Sequence, residues 1–411
     1  MMKKIILLSV ITSSFVVAGA YKVPEQSVNS MALGAAYVAH TEGADTAYFN
    51  PANMAFMENK QFAEVGLTWA HLPSNKFEGM QAYSATDVHV ANNKSEVENL
   101  QLPSIHYISQ AIEPYRWGLS LTVPGGLTKR WDSGHQKLFA EEFTLKVVEL
   151  NPVFSYKVAD NFAVGGGVRF IYSEGIVNSD GGAIKPIKRE MEGSTIEYGY
   201  NLAMSYRPTS DINMAVTYRS TVDLKEDGDA NLYLFGVGNQ YSADVTVPLP
   251  GALNVAVSKT WQDKYTVELN YERTYWSAYK ELDFNYGRAI QPALVSSFDT
   301  PKERRWNDTD TFRVGLTAKV TPTITLMAGY AKDETPIDKK YVSYELPDSD
   351  ADIYTVGVRV KANDNLSYGI GYLHDQKESF TLKAGENAHG VTGKFSEGGA
   401  DLLTVGVGYT F

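Results

Sequence analysis

Leu403-Thr404-Val405-Gly406-Val407-Gly408-Tyr409-Thr410-Phe411 closes the chain with a large apolar residue at every odd position and Thr or Gly at every even one. A period of two is a β-strand with one greasy face and one small or polar face. The pattern recurs upstream. Ile212, Met214, Val216 and Tyr218 share a face opposite Asn213, Thr217 and Arg219. Tyr265, Val267, Leu269 and Tyr271 oppose Thr266, Glu268, Asn270 and Glu272. Phe312, Val314, Leu316 and Ala318 oppose Arg313, Thr317 and Lys319; Tyr354, Val356 and Val358 oppose Thr355 and Arg359.

A soluble sandwich would alternate in the same way, with the apolar face as its core. Three features select a transmembrane antiparallel β-barrel instead. Tyr stands repeatedly at strand ends on the apolar face, at 156, 172, 206, 218, 330, 372 and 409, as in an aromatic girdle at a membrane interface. Charged residues of the polar face lie mid-strand, where a lumen would hold them. Connections alternate between tiny and long: Ala159-Asp160-Asn161, Thr209-Ser210-Asp211, Gln262-Asp263-Lys264, Thr321-Pro322-Thr323 and Asn363-Asp364-Asn365 are turns, and Glu113-Pro114-Tyr115-Arg116 is a sixth. Fourteen strands are expected, near 61–71, 102–112, 117–125, 143–158, 162–176, 195–207, 212–223, 242–261, 265–284, 309–320, 324–334, 351–361, 366–378 and 400–411. A lumen that wide needs a plug or conducts water. A terminal aromatic is typical of outer-membrane barrels, and Phe411 is the expected handle for the barrel assembly machinery.

Composition alone misleads. The 411 residues are 44% hydrophobic, with a mean hydropathy of −0.25 that suits an ordinary soluble protein. No apolar run reaches 18 residues, so no helix is expected to cross a bilayer. The absence of Cys excludes disulfides and thiolate chemistry. Lys3 and Lys4, the apolar run Ile5 to Val17 and Ala18-Gly19-Ala20 read as a secretory signal over residues 1–20. Its removal takes two lysines and no acid, moving the net charge from −11 to −13. An exported chain this acidic is a poor binder of nucleic acid, and export without Cys suggests a bacterial envelope.

Residues 21–60 do not alternate. Ser27 to Ala39 is rich in small residues and helix-compatible, and Asn50-Pro51 reads as a cap followed by Pro at the first helical position. With Met31, Leu33, Phe49, Met54 and Phe56 this stretch is suited to plugging the barrel formed by residues 61–411. Here a resemblance becomes specific. Glu25-x-Ser27, Gly34-x-Ala36-Tyr37, Asp45 and Asn50-Pro51-Ala52 resemble the N-terminal hatch of the long-chain fatty acid transporter family of outer-membrane proteins, the FadL/TodX type. The likeness continues in order through Val148 to Pro152, Tyr218-Arg219-Ser220, Leu249-Pro250-Gly251, a strand carrying Trp276, Gly329-Tyr330, Thr335-Pro336 and Leu346-Pro347-Asp348. It implies a 14-stranded barrel with a hatch in the outer membrane of a Gram-negative bacterium. It also implies passive uptake of hydrophobic molecules, captured outside, bound in the lumen and released sideways through a gap in the wall.

Against that expectation, Asn50, Pro51 and Ala52 are candidate moving parts of the hatch. Pro124-Gly125-Gly126 breaks the third strand, because Pro cannot donate to a ladder and Gly weakens one. From the residues alone the break is equally a strand end; the family's lateral opening lies at a kink in this strand. Ile184, Ile187 and Met191, at spacings of 3 and 4, suggest one face of a short helix in loop three, and Leu232-Tyr233-Leu234-Phe235 is an apolar cluster in loop four. They form either an external capture groove or a packing contact between loops. Arg169, Glu174, Arg219, Glu268, Arg313 and Lys319 are candidate lumen charges, alongside Glu149, Glu197, Glu272 and Arg359. Glu174 stands near where fatty-acid-binding relatives place a base, which favours a neutral hydrocarbon over a carboxylate.

No phosphate loop or metal-ligand His pair is present, and no cofactor or enzymatic activity is expected. His106 beside Ser104 is the nearest thing to a lipase pair, but both lie on one strand. A general diffusion porin is the rival reading. The expected state is a monomer in outer-membrane lipid, with a hydrophobic small molecule as ligand.

Overall fold

The computed structural model describes residues 20–411; the signal expected over 1–20 lies, but for Ala20, outside the described residues. Fourteen antiparallel strands close on themselves. They are β1 (Phe62–Leu72), β2 (Glu98–Ile108), β3 (Tyr115–Arg130), β4 (Glu142–Ala159), β5 (Phe162–Asp180), β6 (Ile187–Thr209), β7 (Ile212–Arg219 and Val222–Leu234), β8 (Val237–Leu249 and Ala252–Trp261) and β9 (Tyr265–Thr274). The remainder are β10 (Thr309–Lys319), β11 (Ile324–Asp333), β12 (Ala351–Lys361), β13 (Leu366–Lys377) and β14 (Gly399–Thr410). Closure is made by β1 and β14, in register from Phe62 opposite Thr410 to His71 opposite Asp401. Among the described residues no helix is long and apolar enough to cross a membrane.

The C-terminal alternation becomes an inside and an outside. Val405 and Val407 are 47% and 52% exposed on the outer face, whereas Leu402 and Thr404 are 1% exposed on the inner one. An apolar exterior is stable only against lipid. Closure also removes the two free edge strands that an open sheet would present to lipid. The tiny turns gather at the end where β1 begins and β14 stops. The long connections gather at the other end and build a roof with a small sheet (Lys76–Ala82, Val88–Val90, Phe380–Leu382, Val391–Ser396) and two helices, Gly134–Ala140 and Pro292–Phe298. The largest buried apolar cluster lies in this roof and the adjoining strand ends, around Trp131, Trp276, Trp306, Tyr344 and Phe395.

Several expectations are corrected. The second strand lies four residues earlier than expected, because the turn runs from Ser109 to Pro114. No helix forms in loop three: Ile187 and Met191 lie on β6, where the strands extend beyond the wall as hairpins, and their spacing reflects residues of one strand face. The expected strand 242–261 is broken at Pro250-Gly251, and 212–223 is broken and prolonged to Leu234. The expected strand 265–284 stops at Thr274, and Trp276 sits in a single 3₁₀ turn, Trp276–Ala278.

Candidate functional site

Residues 21–57 fill the lumen. Helix α1 (Val28–Ala32) is capped by Ser27, whose hydroxyl accepts from the Ser30 amide while the Ser30 hydroxyl accepts from the Ser27 amide. It packs against β11 to β14. Helix α2 (Thr46–Phe49) and the 3₁₀ turn Pro51–Phe56 pack on the opposite side, against β2 to β6. Asn50 accepts from the Ala52 amide through its side chain and donates to the Val38 carbonyl (2.8 Å) and the Ser205 hydroxyl (2.9 Å). Asn50-Pro51-Ala52 thus joins the two helical pieces and touches the wall.

The wall is shaped for this segment. A Cβ on Gly329 would come within 2.5 Å of the Leu33 backbone, and one on Gly165 within 2.8 Å of the Pro51 and Ala52 backbone. Glycine there lets main chain approach main chain.

Most of the lumen charges hold the segment or one another. Glu268 accepts from the amides of Val38 (2.5 Å), Ala39 (3.0 Å) and His40 (2.8 Å), an anion capping a turn of backbone donors. Lys319 pairs with Glu42 (2.8 Å). Glu272 receives both Lys22 (2.7 Å) and Arg313 (3.1 Å). Arg169 and Arg219 converge on Glu149, and Arg219 also lies over the Tyr48 ring. Arg359 binds Glu64 (3.0 Å) and the Asn29 side chain (2.8 Å). Glu174 does not belong with them: it alternates with the inward Arg169 onto the outer face and pairs there with Lys146 (2.9 Å). Its neighbour Ser173 faces inward instead, and Glu174 shares the outer face with Tyr172, the side on which the alternation had put that tyrosine.

Two residues that sequence reasoning missed complete the anchoring. Arg116 donates to the carbonyls of Met54 (3.1 Å), Met57 (3.2 Å) and Lys60, closing the end of the 3₁₀ turn. Gln26 is the other, described below. Neither carries a sequence signal, since each acts through backbone carbonyls or amides far along the chain. Two carboxyls of the lumenal segment are pushed up. Burial, with Glu64 nearby and Arg359 opposing, pushes Asp45 up to about 8. Burial against the pull of Arg313 pushes Glu25 up to about 7.

The wall ladders are interrupted at several places, and the widest break among the described residues lies at Pro124-Gly125-Gly126. Strand β3 does not end there. It runs on to Arg130, paired with β4, with a register shift between Thr122 and Gly125. On its other side, pairing with β2 stops above Ile105 and Leu121, although β2 stays paired with β1 up to Glu98. The upper rim is re-closed by the Glu96 amide on the Arg130 carbonyl (2.9 Å) and by the Arg130–Glu98 ion pair (2.6 Å). The result is a window in the ladder between β2 and β3. (Shorter interruptions separate β6 from the kink in β7 and the two halves of β8 from the chain that follows β9.)

The lumenal segment covers that window from inside. The Val23 amide donates to the Pro124 carbonyl (2.9 Å) and the Gly126 amide to the Tyr21 carbonyl (2.8 Å). The Gln26 side chain accepts from the Val123 amide (2.9 Å) and donates to the Val123 carbonyl (2.9 Å), as a neighbouring strand would. Val23, Leu102 and Val123 pack together across the opening. His106 bonds the Ser120 hydroxyl (3.0 Å) and the Gln26 carbonyl (3.0 Å), so this buried pair, on adjacent strands, is sealed behind the segment.

In the roof, the two apolar loop sets lie on adjacent strands, with Leu234 opposite Ile187 and Ala230 opposite Met191. Ile187, Met191 and Leu232 are buried in the roof core, and Leu234 packs on it. Tyr233 points the other way, toward Glu190 and Lys188. Ile184 and Phe235 remain exposed at the tips; Phe235, 76% exposed, holds a left-handed φ of 50° in the two-residue turn with Gly236.

A closed barrel with an apolar exterior, holding the chain's own N-terminal segment in its lumen, defines the class: an outer-membrane transport barrel. The family model described as outer membrane protein transport protein (OMPP1/FadL/TodX) matches residues 9–411, and the chain belongs to that family. Its family and fold are those of transporter channels in the outer membrane of Gram-negative bacteria. The chain is 23% identical over 363 residues to the long-chain fatty acid transport protein of Escherichia coli, covering 78% of this chain and 79% of that one. It is 22% identical over 407 residues to outer membrane protein P1 of Haemophilus influenzae, covering 87% and 86%. Among solved structures, a Pseudomonas aeruginosa FadL homologue superimposes with a TM-score of 0.83 at 19% identity, over 95% of this chain and 99% of that one. The toluene transporter TodX of P. putida superimposes at 0.70 with 14% identity, over 93% and 97%.

Proposed function

We propose that this protein takes up hydrophobic molecules, long-chain fatty acids or hydrocarbons, by diffusion across the outer membrane. The roof captures the molecule from outside, the lumen binds it above the N-terminal segment, and the β2–β3 window releases it sideways into the membrane. The observation that carries this reading is the interrupted ladder, whose missing partner is supplied by Tyr21 to Gln26. Residues 21–60 are then a hatch: a covered wall gap is a gate, because the cover can leave while β3 keeps its pairing to β4. Asn50-Pro51-Ala52 is the joint about which the two halves of the hatch move. Ile184 and Phe235 at the hairpin tips make the first apolar contact, backed by Ile187, Met191, Leu232, Tyr233 and Leu234. An exposed Phe in a left-handed turn costs stability, so its presence there favours a role in capture.

The outer-membrane lipid is the acceptor of the released molecule. The barrel acts as a monomer that crosses the membrane fourteen times, and Phe411, exposed beside Tyr409 at the end of β14, is its assembly signal. No catalytic step is needed. Planar-bilayer recordings separate this reading from a diffusion porin: the hatched transporter gives near-zero ion conductance, and a large stable conductance would establish the porin.

A further inference from the structure

The ladder between β6 and β7 stops and restarts. Below the break, pairing runs up to Asn201 opposite Arg219, and the Ser220 amide adds one bond to the Tyr200 carbonyl (2.9 Å). Above it, pairing resumes with Ser194 opposite Asp227. Between these points residues 195–199 of β6 stay paired to β5 but, among the described residues, not to β7. Side chains fill part of the gap: a Cβ on Gly199 would come within 2.6 Å of Val222. On the outer face Ile196, Tyr198 and Tyr200 are exposed, and above them so are Glu192, Asp223 and Asp227. The break therefore lies where the aromatic girdle gives way to charge.

The upper rim of the break is built of oxygen. Ser173 on β5 stands opposite Thr195 on β6, and one further step of the β6–β7 register sets Glu226 against Thr195. These three share the inner face. Glu226 is 2% exposed, and neither of its carboxyl oxygens has a hydrogen-bond partner. Ser173 is fully buried, and its hydroxyl has none either. Glu197, the next inward residue of β6, accepts from the Thr195 hydroxyl (3.4 Å). On the outer face of the same strands Glu174 and Asp227 flank Ser194. The charges that act on Glu226 are those of Glu174, Asp227 and Glu197, all negative. Of the nearby bases, Lys146 is taken by Glu174 and Lys225 points outward. A buried carboxylate among other carboxylates is costly unless a cation joins it.

We propose that this cluster binds one calcium ion, which staples β7 to β6 across the break. Oxygen donors alone select a hard cation, and calcium accepts irregular sets of carboxylate, carbonyl and water oxygens where magnesium demands an octahedron. Among the described residues no three His, Asp or Glu side chains form a metal cage by themselves. Glu226 and Glu197 therefore supply the charge, and the Ser173 hydroxyl, carbonyls of the unpaired β6 edge and water complete the shell. The ion takes the place of the missing ladder bonds, whatever molecule the barrel carries.

The test uses the full-length barrel in detergent, stripped with EDTA, and terbium as the probe. Tyrosine sensitises terbium emission, and the Tyr172 hydroxyl lies 3.5 Å from Glu174 at the cluster. Terbium should bind, and calcium at millimolar concentration, the range of extracellular calcium modules, should displace it. Glu226→Gln keeps the shape and removes the charge, so it should weaken binding at least about tenfold, because ligand charge sets affinity in such sites. Glu197→Gln should weaken it too, and Glu190→Gln, outside the cluster, should not. Heat-modifiable migration in gels checks that each variant keeps its barrel. It also reads the staple: calcium should raise the temperature at which the wild type loses its compact form, and should not do so for Glu226→Gln. Terbium that calcium does not displace would overturn the site. So would equal binding by the wild type, Glu226→Gln and Glu197→Gln, since the ion would then sit elsewhere on the acidic loops. A site that leaves the unfolding temperature unchanged would overturn the staple.

Discussion

Two walls of one barrel treat the same N-terminal segment in opposite ways. From β10 to β14 every ladder is continuous, and the segment lies on a finished surface: Leu33 meets Gly329, and Asn29 meets Arg359. At β2 and β3 the surface is unfinished, and residues 21–26 complete it with backbone and one side-chain amide. The first contact is an anchor and the second is a seal. An anchor is made of close packing and paired charge, which break only at high cost. A seal made of a few hydrogen bonds can be exchanged, because each is worth only about 0.5–1.5 kcal/mol net.

Deleting residues 21–52 should break this comparison most severely. The ladders from β3 to β14 do not depend on the segment, so the barrel still assembles, but bilayer conductance rises from near zero to that of an open pore. A deletion variant that stays sealed would show that the segment is not a plug. Gly329→Leu attacks only the anchor. Its side chain would meet Leu33 main chain, and overpacking of about 1–3 kcal/mol should lift α1 from the wall. Protease sensitivity of residues 21–57 should increase while the barrel stays heat-modifiable. Replacing Leu234 and Phe235 by Asp leaves both walls alone and should slow uptake without changing conductance; unchanged uptake would remove these residues from capture.

A smaller effect should follow pH. Asp45 and Glu25 have carboxyls raised above their unfolded values, so the stability they lend the segment is complete below about pH 4. It declines as pH rises and is lost through about 7 for Glu25 and about 8 for Asp45. Conductance noise should therefore grow between pH 6 and pH 9, and Asp45→Asn should flatten that rise. A profile that Asp45→Asn leaves unaltered would assign the effect elsewhere.

The barrel was legible because lipid and lumen impose a period of two on every strand, as Leu403 to Phe411 display. The lumenal segment was legible for the converse reason: residues 21–60 lack that period yet carry apolar residues. Positions that depend on register were harder. Glu174 was placed in the lumen by the resemblance, although it shares a strand face with Tyr172, which the alternation puts outside. The spacing of Ile184, Ile187 and Met191 satisfied a helix although β6 had simply been prolonged. Arg116 and Gln26 left no sequence trace at all, since each is defined by backbone groups distant along the chain. The break at Pro124 could be seen in the sequence; that β3 would continue past it, covered by Val23, could not.

The most direct measurement locks the seal. The chain contains no Cys, so Val23→Cys with Val123→Cys introduces a single possible disulfide between neighbours that pack across the window. Uptake of a labelled fatty acid is followed in cells before and after reduction, with cross-linking scored on gels. A movable seal predicts uptake lost when the bond is formed and restored by reductant, with each single variant transporting normally. Full uptake through a quantitatively cross-linked barrel would contradict lateral release at this window.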